Sequence, residues 1–160
     1  MNDLLPQPVI RRRGEALRSI AGQEVFDFTL TRAETGGAVG LVERLVSPRF
    51  QSPPQAHWHT REDWLGYLLD GELVFQLNGT DHALGAGDCL FVPRGVRFRW
   101  WNPADRPARA LFLYVPGGFE DFFKGACAVA AARDARLHDY EETLKAIQAL
   151  HDGFGIVRAE

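Results

Sequence analysis

The sequence predicts an all-β domain, a small barrel or sandwich, followed by two C-terminal helices. Three observations carry that expectation. Strand-favouring runs rich in Val, Leu, Phe and Trp recur between residues 25 and 115, separated by turns at intervals of about eight to twelve residues. Two of those turns, Asp70-Gly71 and Asn78-Gly79, are dipeptides that close tight hairpins. After Gly117 the apolar period changes to three and four, with Phe119, Phe122, Phe123, Ala126 and Ala130 on one stripe.

The chain has 160 residues and a formal charge of −3, a single domain's length with room for a sizeable core. That charge gives no electrostatic reason to expect a nucleic-acid partner. No apolar run approaches the roughly 18 residues of a membrane-spanning helix, so no membrane partner is expected. Residues 1–8 lack the basic-then-apolar order of a secretory signal. Cys89 and Cys127 lie far apart in differently patterned segments. Both are expected to be reduced, with Cys89 buried on a strand, in a cytoplasmic protein.

Taken in order, residues 1–23 are expected to form an N-terminal arm, kept extended by Pro6 and Pro8. Arg11-Arg12-Arg13 reads as a solvated face or an ion-pair donor to a partner subunit, because no aromatic residues interleave with it. Residues 24–116 are the expected barrel. Strands are predicted at 25–30 and 39–46, on either side of the Thr35-Gly36-Gly37 turn. Ser52-Pro53-Pro54 forces an extended, irregular approach into His57. Further strands follow at 64–69, 72–77, 80–84, 89–92, 98–102 and 110–115. Residues 117–160 are the expected helical segment. Its first helix carries the Phe stripe, which reads as packing rather than as a binding surface. Its second starts near Asp139, with Glu142 three residues on in a capping-box pattern. Tyr140, Leu144, Ile147 and Leu150 form its stripe, and Gly153 is its expected stop. Both helices are expected on the outside of the barrel or against a second subunit.

The stretch with the most chemistry is His57-Trp58-His59. On an extended segment side chains alternate, so His57 and His59 project together while Trp58 points away. Two parallel imidazoles are half of a metal site, since neutral imidazole is a common ligand for Zn, Cu, Fe and Ni. The plainer reading pairs one with a neighbour and packs the other. Thirty residues on, Gly87, Pro93, Gly95 and Asn102 punctuate a strand, a Pro-X-Gly turn and another strand.

Together these segments resemble the two motifs of the cupin superfamily. The first runs Gly-X5-His-X-His-X3or4-Glu-X6-Gly and is matched here by His57, His59 and Gly71. The second runs Gly-X5-Pro-X-Gly-X2-His-X3-Asn and is matched by Gly87, Pro93, Gly95 and Asn102. The resemblance covers roughly residues 50–115 and implies a cupin jelly-roll barrel. The Gly-Phe-Glu-Asp-Phe-Phe stretch at 118–123 is similar to the tail of single-domain cupins resembling quercetin dioxygenases. Three positions depart from the pattern. Gln51 stands at the opening Gly, Trp64 at the ligand Glu and Phe98 at the third ligand His. Two of the four metal-ligand positions are therefore substituted. Asp63 fits the shorter Glu spacing but misses the Gly71 register by one, which turns a strand side chain to the opposite face.

The resemblance implies one divalent transition metal (Fe, Mn, Ni, Cu or Zn), and the substitutions imply that it is held weakly or not at all. His82, His138 and His151 are further candidates by residue type alone, all expected at the surface. By parity Val96, Phe98 and Trp100 face the two histidines, and Trp64 faces in as well. The expected site is thus His57 and His59, as acid/base groups or partial metal ligands, with Trp64, Phe98 and Trp100 binding a small organic ligand. Three functions follow. One is a cofactor-free enzyme on a planar aromatic or polyketide-like compound, with Trp64 N–H donating to an oxyanion. Another is a metal-dependent dioxygenase or isomerase. The third is a non-catalytic small-ligand-binding module. The arm and the open strand edges make a homodimer an expectation.

Overall fold

A computed structural model describes residues 7–52, 55–135 and 140–159. Its strands are β1 (Leu17–Ala21), β2 (Glu24–Leu30), β3 (Gly40–Val46), β4 (His57–His59), β5 (Asp63–Asp70), β6 (Glu72–Leu77), β7 (Thr80–Gly85), β8 (Cys89–Val92), β9 (Phe98–Trp101) and β10 (Ala108–Val115). Helices α1 (Glu120–Asp134) and α2 (Tyr140–Phe154) follow, and β11 (Ile156–Arg158) ends the described elements. The strands form two antiparallel sheets. One has six strands in the order β1-β2-β3-β10-β5-β8, the other five in the order β11-β4-β9-β6-β7. This is the expected all-β jelly roll with C-terminal helices.

Alternation along the strands builds the core. In β10, Ala108, Ala110, Phe112 and Tyr114 are buried while Arg109 and Val115 are exposed. In β5, Trp64, Gly66 and Leu68 point in, and Leu65 and Tyr67 point out. The hairpin dipeptide between β6 and β7 has the expected geometry: Asn78 and Gly79 both take positive φ, 48° and 89°. Gly71 is also required by its surroundings. Its φ is +82°, and a Cβ there would lie 2.9 Å from Ala108 Cα.

Several local expectations are corrected. The stretch expected to be an arm contains β1, which pairs with β2 from Leu17↔Phe28 to Ala21↔Glu24. Arg11 pairs with Glu34 of its own chain. Cys89 is exposed, not buried. It sits on β8, an edge strand whose inward parity belongs to Leu90 and Val92. Gly153 lies inside α2; the chain turns out of the helix at Gly155, where φ is +69°. Pro53, Pro54, His138 and Asp139, and with them the prolyl bend and the capping box, fall outside the described residues.

The helices are tied to the barrel by specific bonds. The fully buried Glu120 accepts from Arg32 N at 2.6 Å and Gly118 N at 2.7 Å, docking the start of α1. At the end of α2, Gly155 O accepts from Thr60 Oγ1 at 2.9 Å, and Gly153 O accepts from Arg61 Nη1 at 2.6 Å. The chain then runs alongside the histidine strand: β11 pairs with β4 as Ile156↔His59, Val157↔Trp58 and Arg158↔His57. Among the described residues no helix is long and apolar enough to cross a membrane.

Candidate functional site

A cavity of about 240 Å³ lies between the sheets, roofed by α1 and the α2–β11 return. β4 supplies its imidazoles. His57 and His59 are both buried, 5.8 Å apart between ring centroids, and Trp58 turns outward to carry Arg97 over its ring at 5.2 Å. The parity expected from the sequence therefore holds. Across from them, β9 pairs with β4 at His57↔Phe98. The Phe98 ring is 4.4 Å from His57 and 5.2 Å from His59. Trp64, from β5, stands 5.0 Å from Phe98 and 6.3 Å from Trp100. So the expected residues His57, His59, Trp64, Phe98 and Trp100 meet around one cavity, whereas Val96, expected on the same wall, is half-buried and is not among the lining residues.

The electrostatics of the two imidazoles differ. Burial, reinforced by His59, pushes the His57 pKa from 6.5 down to about 3, so the ring is neutral across the physiological range. His59 instead has a carboxylate at its back: Nδ1 lies 2.7 Å from Glu62 Oε1, both groups being almost fully buried. The approach is close but poorly aligned, and neither atom has a directed hydrogen bond among the described residues. Trp64 Nε1 is likewise buried with no acceptor. An unpaired indole N–H in a cavity wall is a donor waiting for an acceptor.

Several residues at the site were not foreseen. Glu62 precedes β5, and Asp63 faces outward, as its register against Gly71 requires. Asp63 binds Arg94, which holds its carboxyl down at about 2. His151, expected at the surface, is buried on α2 and lines the cavity. Arg158 Nη2 donates to His151 Nδ1 at 2.6 Å, and burial together with that guanidinium lowers the His151 pKa to about 4. His82 is exposed, as expected. The Phe stripe of α1 packs and also faces the cavity, through Phe119, Phe122 and Phe123. Glu24 and Arg44 form a buried ion pair in the wall. The sequence did hold a signal for them. Glu24 shares parity with Phe26 and Phe28, and Arg44 with Val42 and Val46, so each is a charge on the inward face of an apolar strand.

The motif resemblance implies a metal, and the donor set decides whether this chain fits one. A catalytic zinc takes three protein ligands and keeps one open position. Among the described residues no group of three or more His, Cys, Asp or Glu is arranged to hold a metal ion. Phe98, at the position of the motif's third His, brings a ring and no donor atom beside both imidazoles. The donor set does not fit a resident metal of that kind.

The profile of the cupin domain family matches residues 45–114. The chain is 33% identical over 87 residues to the tetracenomycin polyketide synthase protein TcmJ of Streptomyces glaucescens, covering 54% of this chain and 58% of that one. It is 28% identical over 106 residues to the polyketide synthase CurC of Streptomyces cyaneus, covering 66% and 62%. The chain thus spans about three-fifths of the length of these curated relatives. A solved RmlC-like cupin from Shewanella frigidimarina superposes with a TM-score of 0.59 at 22% identity, over 73% of this chain and 98% of that one. Residues 45–114 therefore match the cupin domain, and the two-sheet barrel has the fold of the solved cupins it superposes on.

Proposed function

We propose that the barrel binds a planar aromatic or polyketide-like compound and moves a proton on it with His57 and His59. The observation that carries this reading is the cavity's make-up: neutral imidazole on one wall, Trp64, Phe98 and Trp100 rings around it, and one unpaired indole N–H. Flat rings stack on such walls, with aromatic pairs worth about 0.5–1.5 kcal/mol beyond their buried area. The polyketide synthase names of two relatives favour a polyketide-like ring over a sugar.

The chemistry belongs to this chain's own side chains. His59, with Glu62 packed against its Nδ1 side, takes a proton from a carbon acidified by neighbouring carbonyls. Trp64 N–H donates to the oxyanion that forms. Neutral His57 serves as the second proton carrier, and the aromatic walls keep bulk water from the enolate.

The test is proton exchange. A planar phenolic 1,3-dicarbonyl probe is incubated with the protein in deuterated buffer, and loss of the acidic C–H is followed by NMR. Wild type accelerates exchange, His59→Gln loses about 10²–10⁴-fold, and chelator has no effect. Probe binding without acceleration rejects the enzyme reading and leaves a binding module. Loss of exchange with chelator moves the protein to the metal-dependent reading.

A further inference from the structure

We infer that the ligand carries an acidic group, a carboxylate, and that Arg44 is the residue that reads it. This rests on the reading of the cavity as an aromatic-ligand site and deepens it.

Arg44 is a buried cation in the cavity wall, with a side chain 5% exposed. Glu24 engages one side of it: Nε donates to Glu24 Oε2 at 2.9 Å and Nη2 donates to the same oxygen at 2.6 Å. The other Glu24 oxygen accepts from Ser47 N at 2.7 Å. A guanidinium has five N–H groups on a planar fork, and this arrangement uses two of them. Nη1 has no hydrogen-bond partner among the described residues. The free edge, Nη1 with the second N–H of Nη2, has the shape that takes a carboxylate with two parallel bonds. Arg44 lines the cavity, so this unpaired edge is the part of the ion pair that is left to meet a ligand there.

The surroundings fit a planar acid. Phe50, Phe26 and Trp100 lie 4.5 Å, 4.8 Å and 4.8 Å from the guanidinium carbon, forming a cage that orients the fork. None of these rings touches an imidazole. His57 and His59 contact Phe98, and His59 also stacks on Phe119 at 4.2 Å. The cavity therefore has two poles, joined on the helix side by Phe123, which stacks on Phe26 at 5.0 Å and meets Phe119 at 5.4 Å. Trp64 reaches both, through Phe98 and Trp100. A flat acid anchored at Arg44 extends past Trp64 towards the imidazoles, which fixes which carbon they meet. Glu24 keeps the unliganded pole neutral, so a single anionic group is accommodated through charge-assisted bonds rather than by free positive charge.

The experiment is a calorimetric comparison of two probes of equal shape, anthraquinone-2-carboxylate and anthraquinone-2-carboxamide, at neutral pH. Wild type is expected to bind the carboxylate at least about tenfold more tightly. The double variant Glu24→Gln/Arg44→Gln, which removes both charges together, is expected to bind the two probes alike, with near-ultraviolet circular dichroism verifying the fold. Arg44→Lys keeps the charge but not the fork and is expected to fall between. Equal wild-type affinities overturn the acid inference and leave the aromatic reading standing, as does a carboxylate preference that survives in the folded double variant. Failure of both probes to bind wild type overturns the aromatic reading and the inference with it. The wild-type comparison decides the matter even if the double variant does not fold.

Discussion

The two sheets treat buried polarity in opposite ways. The six-stranded sheet carries a full charge into the cavity, Arg44 on β3, and matches it with Glu24 on the neighbouring β2. The five-stranded sheet carries His57 and His59 on β4 and gives His57 no counter-charge, so burial, reinforced by His59, keeps that ring neutral. Arginine cannot shed its proton in a protein and must be paired. Histidine can, and pays for burial by lowering its pKa. The difference teaches how one small cavity holds both a fixed charge and a neutral proton carrier.

The sharpest way to break this contrast is to strip the pair. Glu24→Ala leaves Arg44 buried and uncompensated and is expected to lower stability by about 3–5 kcal/mol in urea unfolding. A change near zero would mean that Arg44 reaches water, and the contrast would collapse.

The next effect comes from pH. The His57 pKa is lowered on folding from 6.5 to about 3, so the unfolded chain binds more protons in that interval. Stability therefore rises with pH between about 3 and 6.5 and is lost on acidification, by up to about 1.4 kcal/mol per pH unit from this group. His57→Asn flattens the slope in pH-dependent denaturant titrations; His151, lowered to about 4, and the carboxyls held down by their ion pairs carry what is left. An unchanged slope would show that the His57 ring is hydrated.

Phe98→His sharpens the comparison from the other side. It places a third imidazole where the phenyl ring now lies 4.4 Å and 5.2 Å from the two histidines. Cobalt affinity, read from visible absorption, is expected to rise more than about tenfold as the ligand count goes from two to three. No gain would mean that the imidazoles cannot converge on one ion. The smallest effect is expected outside the barrel. Asp63→Asn breaks only the surface pair with Arg94 and leaves probe affinity unchanged.

Most of the barrel was legible because strand alternation and turn dipeptides are local signals. The strands at 72–77 and 89–92 were read to the residue, and the Asn78-Gly79 turn by its type. β1 and β11 were missed because each is short and gains its place only by pairing with a strand elsewhere, β1 with β2 and β11 with β4. At the site, His57, His59, Trp64, Phe98 and Trp100 were found from parity and motif register. His151 was not, because an isolated histidine on a polar-looking helix carries no sign that β11 will fold it inward. Cys89 failed for the converse reason: its strand is apolar, but it is an edge strand and Cys89 has the outward parity.

The sequence by itself determined the jelly roll, the pairing of His57 with His59 on one wall, and the large aromatics at two ligand positions. These follow from period, turn chemistry and spacing, which act over a few residues. Only the tertiary structure decided that Glu62 rather than Asp63 backs His59, that Arg44 and Glu24 meet inside, and that α1 and α2 roof the cavity. Those outcomes depend on contacts between residues far apart in the chain, where burial and counter-charge, and not local preference, set the energy.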